Sequence, residues 1–409
     1  MSIAKLENTL STNLKDLYSS GRAKGQEKVI VDVKKASGNV GPRYILEGYG
    51  QKEFIKMNAN SYLGLSLHDD MILAEEEGAR KFGVGPGAVR FISGTYDEHI
   101  KLEKKLADFH KKEAGMIFSS AYVTSMGVIV PLTTPETIIV SDELNHNCII
   151  NGMKLSRPVY KAIYKHNDMA DLEKKLQEAV GNGKRVLVIT DGIFSMRGDH
   201  APLNELVEIC NKFDEHFEDG VISVVDDSHG VGAFGKTGRG TEEYTDAKVD
   251  VLVGTLGKAF GVNGGYVVTA TKIIEYLRET APMYIYSNPI TVSECKAAQK
   301  ALEIINSEEG AGILAHLRKM TSKFETGLLD IGYETIKGGH PIVPLMVRDT
   351  DETSKIVEFL IECGVLATGL NFPVVPKGDE EIRFQVSAEH TIKDIDYVLG
   401  ILKKYKEQK

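Results

Sequence analysis

Short apolar runs alternate with helix-type patterns through the middle of the chain. Runs rich in Val, Ile and Leu predict strands at 116–119, 137–140, 159–163, 186–190, 221–225, 251–253 and 266–269. Apolar residues at helical spacing predict helices near 69–82, 97–112, 122–131, 145–155, 168–180 and 202–217. Mostly apolar strands that are separated by helices predict an α/β fold whose largely parallel sheet is covered on both faces.

The pattern differs at the two ends of the chain. At the start it predicts an amphipathic helix over 3–20 and short strands at 28–33, 44–48 and 53–58. After Pro289 it predicts helices at 291–306 and 308–330, strands at 342–347, 365–368 and 382–386, and a closing helix from 391. We therefore expect an N-terminal arm (1–57), a large domain (58–289) and a smaller α+β domain (290–409).

Composition narrows the class of protein. A chain of 409 residues exceeds the usual size of one hydrophobic core, and 42% hydrophobic with 26% charged residues is typical of a soluble globular protein. The net charge of −9 argues against nucleic acid and against an anionic membrane surface. With no apolar signal region and no membrane-length apolar run, we expect a cytoplasmic protein without membrane insertion.

The cysteines indicate neither a disulfide framework nor a metal site. They are widely spaced and form no CxxC pair: Cys148, Cys210, Cys295 and Cys363. We expect free thiols in a reducing compartment and no bound metal.

Reactive polar residues follow two of the predicted strands. Asp226 ends the run 221–225, with His229 three residues later, and Lys258 lies in a glycine-flanked turn after 251–253. Ligands of parallel sheets bind at the carboxyl ends of strands. A lysine for a Schiff base and an acid for the pyridinium nitrogen are what an enzyme needs to hold pyridoxal 5'-phosphate (PLP).

The motifs around these residues resemble those of the PLP-dependent α-oxoamine synthases, which condense an amino acid with an acyl-CoA. Thr255-Leu-Gly-Lys258-Ala-Phe-Gly is similar to that family's Schiff-base segment, and Asp226-Asp-Ser-His229 to its Asp-Asp-(Ser/Ala)-His. The resemblance covers about residues 40–400. It implies fold type I of the PLP-dependent transferases, as in aspartate aminotransferase, with a smaller C-terminal α+β domain.

The resemblance also implies roles for residues near the cofactor ring. Lys258 would hold PLP and remove the substrate α-proton, which an amine of lowered pKa suits. Asp226 would keep the ring nitrogen protonated. Asp227 is a rival by adjacency, but side chains alternate along a strand, so only one of the two should face the ring. His146 would stack on the ring and His229 would lie near the cofactor hydroxyl.

Further residues would bind the phosphate and the cofactor hydroxyl. Thr255 and the turn at Ala121 and Tyr122 would contact the phosphate, the turn through N–H groups at a helix N-terminus. In that turn the family's usual Phe-x-Ala-Asn is replaced by Tyr122-Val-Thr-Ser125. Ser195 would bond near the cofactor hydroxyl, in a motif where Arg197 replaces the usual aspartate.

The substrate side and the assembly are implied by the same resemblance. Arg383 would hold the amino-acid carboxylate, for which a guanidinium fork is geometrically suited. Ser61 would line the substrate pocket, and the glycine-rich stretch 85–95 would lie on the same side. Ser287 and Asn288 match a segment that reaches the phosphate across the subunit boundary, which implies a homodimer with shared active sites.

Segments 341–345 and 371–378 look most like 2-amino-3-ketobutyrate CoA ligase, so the first interpretation is a glycine C-acetyltransferase acting on glycine and acetyl-CoA. Segment 196–203 is nearer to 8-amino-7-oxononanoate synthase, which uses alanine and a pimeloyl thioester. Serine palmitoyltransferase-like chemistry stays open, as do a PLP aminotransferase and a cofactor-free binding protein.

One motif points to a different class of protein. Residues 230–237 match the phosphate-loop pattern GxxxxGK(S/T) in full, which suggests an NTPase. A phosphate loop runs directly from a strand into a helix. Here three residues, 227–229, separate it from the strand, and no helical pattern follows it. We therefore expect no nucleotide site.

Overall fold

The computed structural model describes residues 2–20, 22–23, 25–372 and 374–408. Its helices are α1 Ser2–Ser19, α2 Asp69–Phe82, α3 Asp97–His110, α4 Ala121–Leu132, α5 Asn147–Leu155, α6 Met169–Ala179, α7 Leu203–Phe213, α8 Thr241–Tyr244, α9 Thr271–Thr280, α10 Pro282–Ile285, α11 Val292–Ile305, α12 Glu308–Asp330, α13 Thr350–Glu362 and α14 Ile392–Glu407. Its strands are β1 Ile30–Lys34, β2 Arg43–Leu46, β3 Glu53–Lys56, β4 Ala114–Phe118, β5 Thr137–Asp142, β6 Tyr160–Tyr164, β7 Arg185–Asp191, β8 Val221–Asp226, β9 Val251–Thr255, β10 Gly265–Thr269, β11 Glu334–Thr335, β12 Ile342–Met346, β13 Val365–Leu366, β14 Thr368–Leu370 and β15 Glu381–Gln385.

These residues form two compact units whose limits differ from the predicted domains. The larger unit is Asn60–Lys319 with Gly338–Pro341, and the smaller unit contains the other described residues. The N-terminal strands join the smaller unit because β3 pairs in parallel with β13. The larger unit extends past residue 289 because α11 packs on α2 and α3.

A seven-stranded sheet forms the centre of the larger unit. Its strand order is β4-β10-β9-β8-β7-β5-β6, and β10 runs antiparallel to both of its neighbours while the other pairs are parallel. The prediction of a mostly parallel sheet is confirmed.

Both faces of this sheet are buried, which explains why its strands are apolar throughout. Along β7, Leu187 and Ile189 enter the core cluster that contains residues of α4, α5 and α9. Val186 and Val188, which alternate with them, enter a second cluster with residues of α6 and α7. Because successive side chains of a strand point to opposite faces, helices on both sides of the sheet require an uninterrupted apolar sequence.

The smaller unit contains two four-stranded sheets. Their orders are β1-β2-β3-β13 and β11-β12-β15-β14. The predicted strand at 365–368 is therefore two short strands, because β13 pairs with β3 and β14 pairs with β15 in different sheets. β11 was not predicted from the sequence. Within the described part of the chain, no helix combines the length and the apolar character needed to cross a membrane.

Candidate active site

Six strands of the larger unit, β4 to β9, run in the same direction and end at one edge of the sheet. Asp191 and Asp226, the last residues of β7 and β8, are register partners. Phe118 at the end of β4 and Thr255 at the end of β9 both lie opposite Gly265 of β10. The turns that follow β4, β5, β7, β8 and β9 are therefore at the same edge, which is where the sequence predicted the site.

Asp226 is buried at this edge and surrounded by hydrogen-bond donors. Its Oδ2 accepts from Ser125 Oγ of α4 at 2.6 Å and from Cys148 Sγ of α5 at 3.5 Å. Its Oδ1 accepts from the backbone N–H of Ser228 at 3.1 Å. Three donors therefore fix the orientation of this buried carboxyl group.

The carboxyl group of Asp227 is hydrogen-bonded to a different segment of the chain, the start of α8. Its carboxyl accepts from Thr241 N at 2.6 Å and from Thr241 Oγ1 at 2.7 Å. Burial raises the pKa of Asp227 to about 7 against the effect of these hydrogen bonds. The expected alternation along β8 is present, and only Asp226 contacts the side chains of α4 and α5 described here.

Asp191 brings a second acid beside Asp226. Burial, and next the negative charge of Asp226, raise the pKa of Asp191 well above its usual value. The backbone N–H of His146 donates to Asp191 Oδ2 at 2.9 Å. Asp191 therefore holds its proton to a higher pH than an ordinary aspartate, and this limits the repulsion between the two carboxyls.

His146 caps the N-terminus of α5 and presents a partly exposed ring. Its Nδ1 accepts from Cys148 N at 3.3 Å and lies 2.9 Å from Cys148 Sγ. Burial lowers the pKa of His146; Asp226 opposes this effect and the positive charge of Lys258 adds to it. A neutral, flat imidazole beside Asp226 suits stacking on an aromatic ligand.

Lys258 lies half-buried in the turn after β9. Its positive charge contributes to lowering the pKa of His146 and the pKa of His340. It also lowers the pKa of Asp191, against the larger effect of burial. The ammonium group therefore lies near these residues. Thr255, at the end of the same strand, is buried, and its Oγ1 accepts from Gly257 N at 3.1 Å. The lysine and the acid of the predicted pair are thus at one edge.

The turn from β4 into α4 forms a helix N-terminus beside Thr255. Ser120 caps the helix by accepting from Val123 N, and the following N–H groups of Ala121 and Tyr122 have no carbonyl one turn before them. A Cβ at residue 265 would lie 2.3 Å from Ala121 N, so only glycine allows β10 to approach the turn this closely. Such a helix N-terminus can bind a phosphate.

His229 contacts two residues that were not predicted as site residues. Its Nδ1 lies 2.7 Å from Tyr62 OH, and its backbone carbonyl accepts from His340 Nε2 at 2.8 Å. Burial lowers the pKa of His340 to about 3, so this ring is neutral. Tyr62 directly follows the predicted site residue Ser61, but no sequence signal identified His340.

Arg197, two residues after Ser195, belongs to a cluster of charged side chains. Arg197 Nε donates to Asp199 Oδ2 at 3.2 Å, and the same oxygen is 3.0 Å from His166 Nε2. His166 Nδ1 is 3.1 Å from Asp142 Oδ1. Although burial lowers the pKa of His166, its bonds to the two carboxylates raise it to about 9. Arg197 and His166 thus balance two acids, which gives the reversed charge at residue 197 a structural role.

Three other predicted site residues have the following contacts or strand pairings within their own segment or sheet. Ser61 Oγ is 3.5 Å from Ser66 Oγ. Ser287 follows α10 and donates to the carbonyl of Asn288 at 3.4 Å. Arg383 is on β15 of the smaller unit, opposite Pro344 and Thr368.

The segment that matches a phosphate loop has a different structure. It is followed by no helix before the four-residue α8. Thr237 donates to Glu243 through its N–H at 2.9 Å and through its hydroxyl at 2.6 Å. The loop therefore folds onto α8, and the hydroxyl of Thr237 is bonded to Glu243. Among the residues described, no group of His, Cys, Asp and Glu is arranged to hold a metal ion.

The residues at the edge fit PLP. They supply an acid, a lysine, a flat imidazole and a helix N-terminus at the ends of adjacent strands. Ser228 Oγ, two residues after Asp226, is buried and has no hydrogen-bond partner in the described part of the chain. This hydroxyl can therefore form a hydrogen bond with a ligand.

Comparisons with known proteins agree with this fit. Residues 52–402 match the family Aminotransferase class I and II. The 8-amino-7-oxononanoate synthases of Thermosipho melanesiensis and Symbiobacterium thermophilum are 38% and 39% identical to the chain, over 85% and 89% of it and 87% and 90% of their own lengths. A serine palmitoyltransferase from S. paucimobilis, solved with a bound PLP–myriocin compound, superposes with a TM-score of 0.87 at 25% identity over 99% of this chain and 98% of that one.

The chain belongs to the class I and II aminotransferase family and has the type I fold of PLP-dependent transferases. Within that family it is a PLP-dependent α-oxoamine synthase, an enzyme of the acyltransferase type. The relatives do not support the first interpretation, glycine C-acetyltransferase; they bear the name of the alternative.

Proposed function

We propose that the chain is an 8-amino-7-oxononanoate synthase, which joins alanine to a pimeloyl thioester and releases the thiol and carbon dioxide. One observation carries this proposal: relatives of that name are 35–39% identical to the chain over nearly its whole length. The site supports the reaction type, because an acid, a lysine and an imidazole lie together at the sheet edge.

Each side chain has a proposed part in this reaction. Bound PLP supplies an electron sink for the charge left when the substrate loses its α-proton. Lys258 Nζ would hold the cofactor and then accept that proton, a role in which a positioned amine serves as general base. Asp226 holds the proton on the ring nitrogen, and His146 packs flat against the ring.

The remaining roles come from the family resemblance and stay predictions. The N–H groups of Ala121 and Tyr122, with Thr255, bind the phosphate. Ser195 and His229 lie toward the cofactor hydroxyl. On the substrate side, Arg383 binds the carboxylate of the amino acid and Ser61 lines the pocket.

The decisive measurement compares three substrate pairs on one PLP-loaded preparation. Thiol release is followed with alanine and pimeloyl-CoA, glycine and acetyl-CoA, and serine and palmitoyl-CoA, each with a control lacking the amino acid. We expect alanine with pimeloyl-CoA to have the highest kcat/KM of the three pairs. In a fourth assay, glycine replaces alanine with the same pimeloyl-CoA; because one methyl group in a pocket changes binding by about 1–3 kcal/mol, kcat/KM should fall by about tenfold or more. A faster reaction of glycine with acetyl-CoA would restore the C-acetyltransferase interpretation, and a faster reaction of serine with palmitoyl-CoA would favour a serine palmitoyltransferase.

The proposal includes a homodimer with shared active sites. Tyr286, beside Ser287, is 77% exposed, and Phe91 and Ile92 are 66% and 68% exposed in the same unit. These side chains are our candidates for the dimer interface, because interaction sites are often apolar. If Asn288 acts in the partner's site, mixing inactive Lys258→Ala and Asn288→Asp chains should restore part of the activity, whereas each variant alone stays inactive.

A further inference from the structure

The acid at the ring-nitrogen position has hydrogen-bond donors from two helices. Ser125, on the second turn of α4, donates its hydroxyl proton to Asp226 Oδ2 at 2.6 Å, and both side chains are buried. This serine stands where the family motif has asparagine. The second donor to the same oxygen, Cys148 of α5, also contacts His146.

We propose that Ser125 is a positioning residue whose hydroxyl fixes Asp226 in the ionised and oriented state that holds the ring-nitrogen proton of PLP, with Cys148 as a weaker second donor. The proposal rests on the role given to Asp226 and is independent of which amino acid and thioester react. The hydroxyl thus donates to Asp226 from the position at which the family motif has an asparagine.

The distances favour the carboxylate as the acceptor of the serine proton. Ser125 Oγ also lies 3.3 Å from the carbonyl of Ala121 in its own helix. A hydroxyl has one proton, and the bond to the carboxylate is both shorter and charge-assisted. Ser125 therefore acts on Asp226 rather than only closing its helix.

The two oxygens of Asp226 differ in their remaining capacity. Oδ2 accepts from Ser125 and Cys148, whereas among the described residues Oδ1 accepts only from Ser228 N. Since a carboxylate oxygen has two lone pairs, Oδ1 retains an acceptor position. The geometry points to Oδ1 as the oxygen that receives the ring N–H.

Cys148 extends the same arrangement to the stacking histidine. Its thiol lies between His146 Nδ1 and Asp226 Oδ2, and burial, followed by the charge of Asp226, raises the thiol pKa far above its usual range. The group therefore stays a protonated thiol and a weak donor. Its removal should affect the ring nitrogen less than removal of the serine hydroxyl.

The test uses protein loaded with PLP that carries ¹⁵N in its ring. In the unaltered protein the ¹⁵N chemical shift should be that of a protonated ring. In Ser125→Ala it should move toward the unprotonated value, and the PLP dissociation constant should rise roughly ten- to a hundredfold. Ser125→Thr keeps the hydroxyl and should restore both values to within about threefold. Cys148→Ala should produce a smaller change of the same sign.

Matched controls separate this effect from loss of packing. Thr133→Val removes a hydroxyl at the other end of α4 that donates to Ile129 O, and Cys210→Ala removes a buried thiol in α7. Both should leave the ¹⁵N shift and the PLP affinity unchanged, and melting of the PLP-free proteins checks that each variant folds. If Ser125→Ala keeps the protonated shift and the affinity, or if Ser125→Thr fails to restore them, the inference is overturned. An unprotonated ring in the unaltered protein would overturn both the inference and the role of Asp226, whereas a preference for another thioester would overturn only the proposed function.

Discussion

Asp226 and Asp227 are consecutive residues at the end of β8, yet their carboxyls are in opposite settings. Asp226 meets a hydroxyl and a thiol from two helices, with Lys258 and His146 nearby. Asp227 is bound from the other side by both donors of Thr241. Successive side chains of a strand point to opposite faces of the sheet. Two adjacent aspartates can therefore have different roles, one in the reaction and one in the structure.

The largest effect should come from Lys258, on the Asp226 side. Lys258→Ala removes both the attachment of the cofactor and the group that moves the α-proton, and general acid–base groups typically contribute about 10²–10⁴-fold. Turnover should fall by at least this factor, while circular dichroism and melting show a folded protein. Near-normal turnover in this variant would refute the assignment of the site.

Substitution of the two acids by asparagine should separate their roles. Asp226→Asn removes the negative charge facing the ring nitrogen, and we expect kcat to fall by about 10²–10³-fold, the range found when a positioned electrostatic group is lost. Asp227→Asn keeps an oxygen for Thr241 N and should change kcat by less than about tenfold. Steady-state kinetics would measure kcat for both variants. A larger loss of kcat in Asp227→Asn than in Asp226→Asn would contradict the roles given to the two acids.

The pH dependence of stability should identify Asp227 as the structural acid. Its folded-state pKa of about 7 lies above that of an unfolded aspartate, so its contribution is complete below about pH 4 and is lost as the pH rises through 7. The unaltered protein should therefore lose up to about 4 kcal/mol of unfolding free energy relative to Asp227→Asn between pH 4 and pH 8. Parallel denaturation curves in urea at several pH values would measure this difference, and identical pH slopes would contradict it.

His166 provides a smaller effect of the same sign. Its pKa is raised to about 9, so its contribution is complete below about pH 6.5 and is lost as the pH rises through 9. The stability advantage of the unaltered protein over His166→Gln should be at most about 3 kcal/mol at pH 6 and should shrink above pH 9. Arg197→Gln is the control for this cluster: its more exposed ion pair should contribute less than about 1 kcal/mol.

The sequence predicted local structure best where a short signal decides it. The helical spacing of apolar residues predicted the full range of α2, which two acids begin and which Gly83 ends with φ 81°. α3 ends two residues early, since Lys111 adopts a left-handed conformation that no motif indicated. The pairing of β3 with β13 joins residues about 310 positions apart, and no local pattern encodes such a partner.

Site residues that lie in short contiguous motifs were predicted from the sequence. Contacts between side chains of different helices were not. Asp226, Thr255 and Lys258 stand at strand ends and were found at the expected edge. Cys148 was considered only as a free thiol, since a sequence does not show which side of α5 meets β8. Ser125 did carry a signal, because it departs from the family motif, but its partner became visible only in the structure.

The position of β10 has a consequence for synthesis of the chain. β4 joins the sheet only through β10, which enters between β4 and β9 although it follows β4 by about 150 residues. As the chain leaves the ribosome, β4 and the helix N-terminus after it have no neighbouring strand until residue 269 has emerged. A nascent chain that ends at Lys258 therefore already contains the reactive lysine but not the sheet that fixes the phosphate-binding turn. Capture of the cofactor is thus a late event in folding, and fragments that stop before β10 should be colourless.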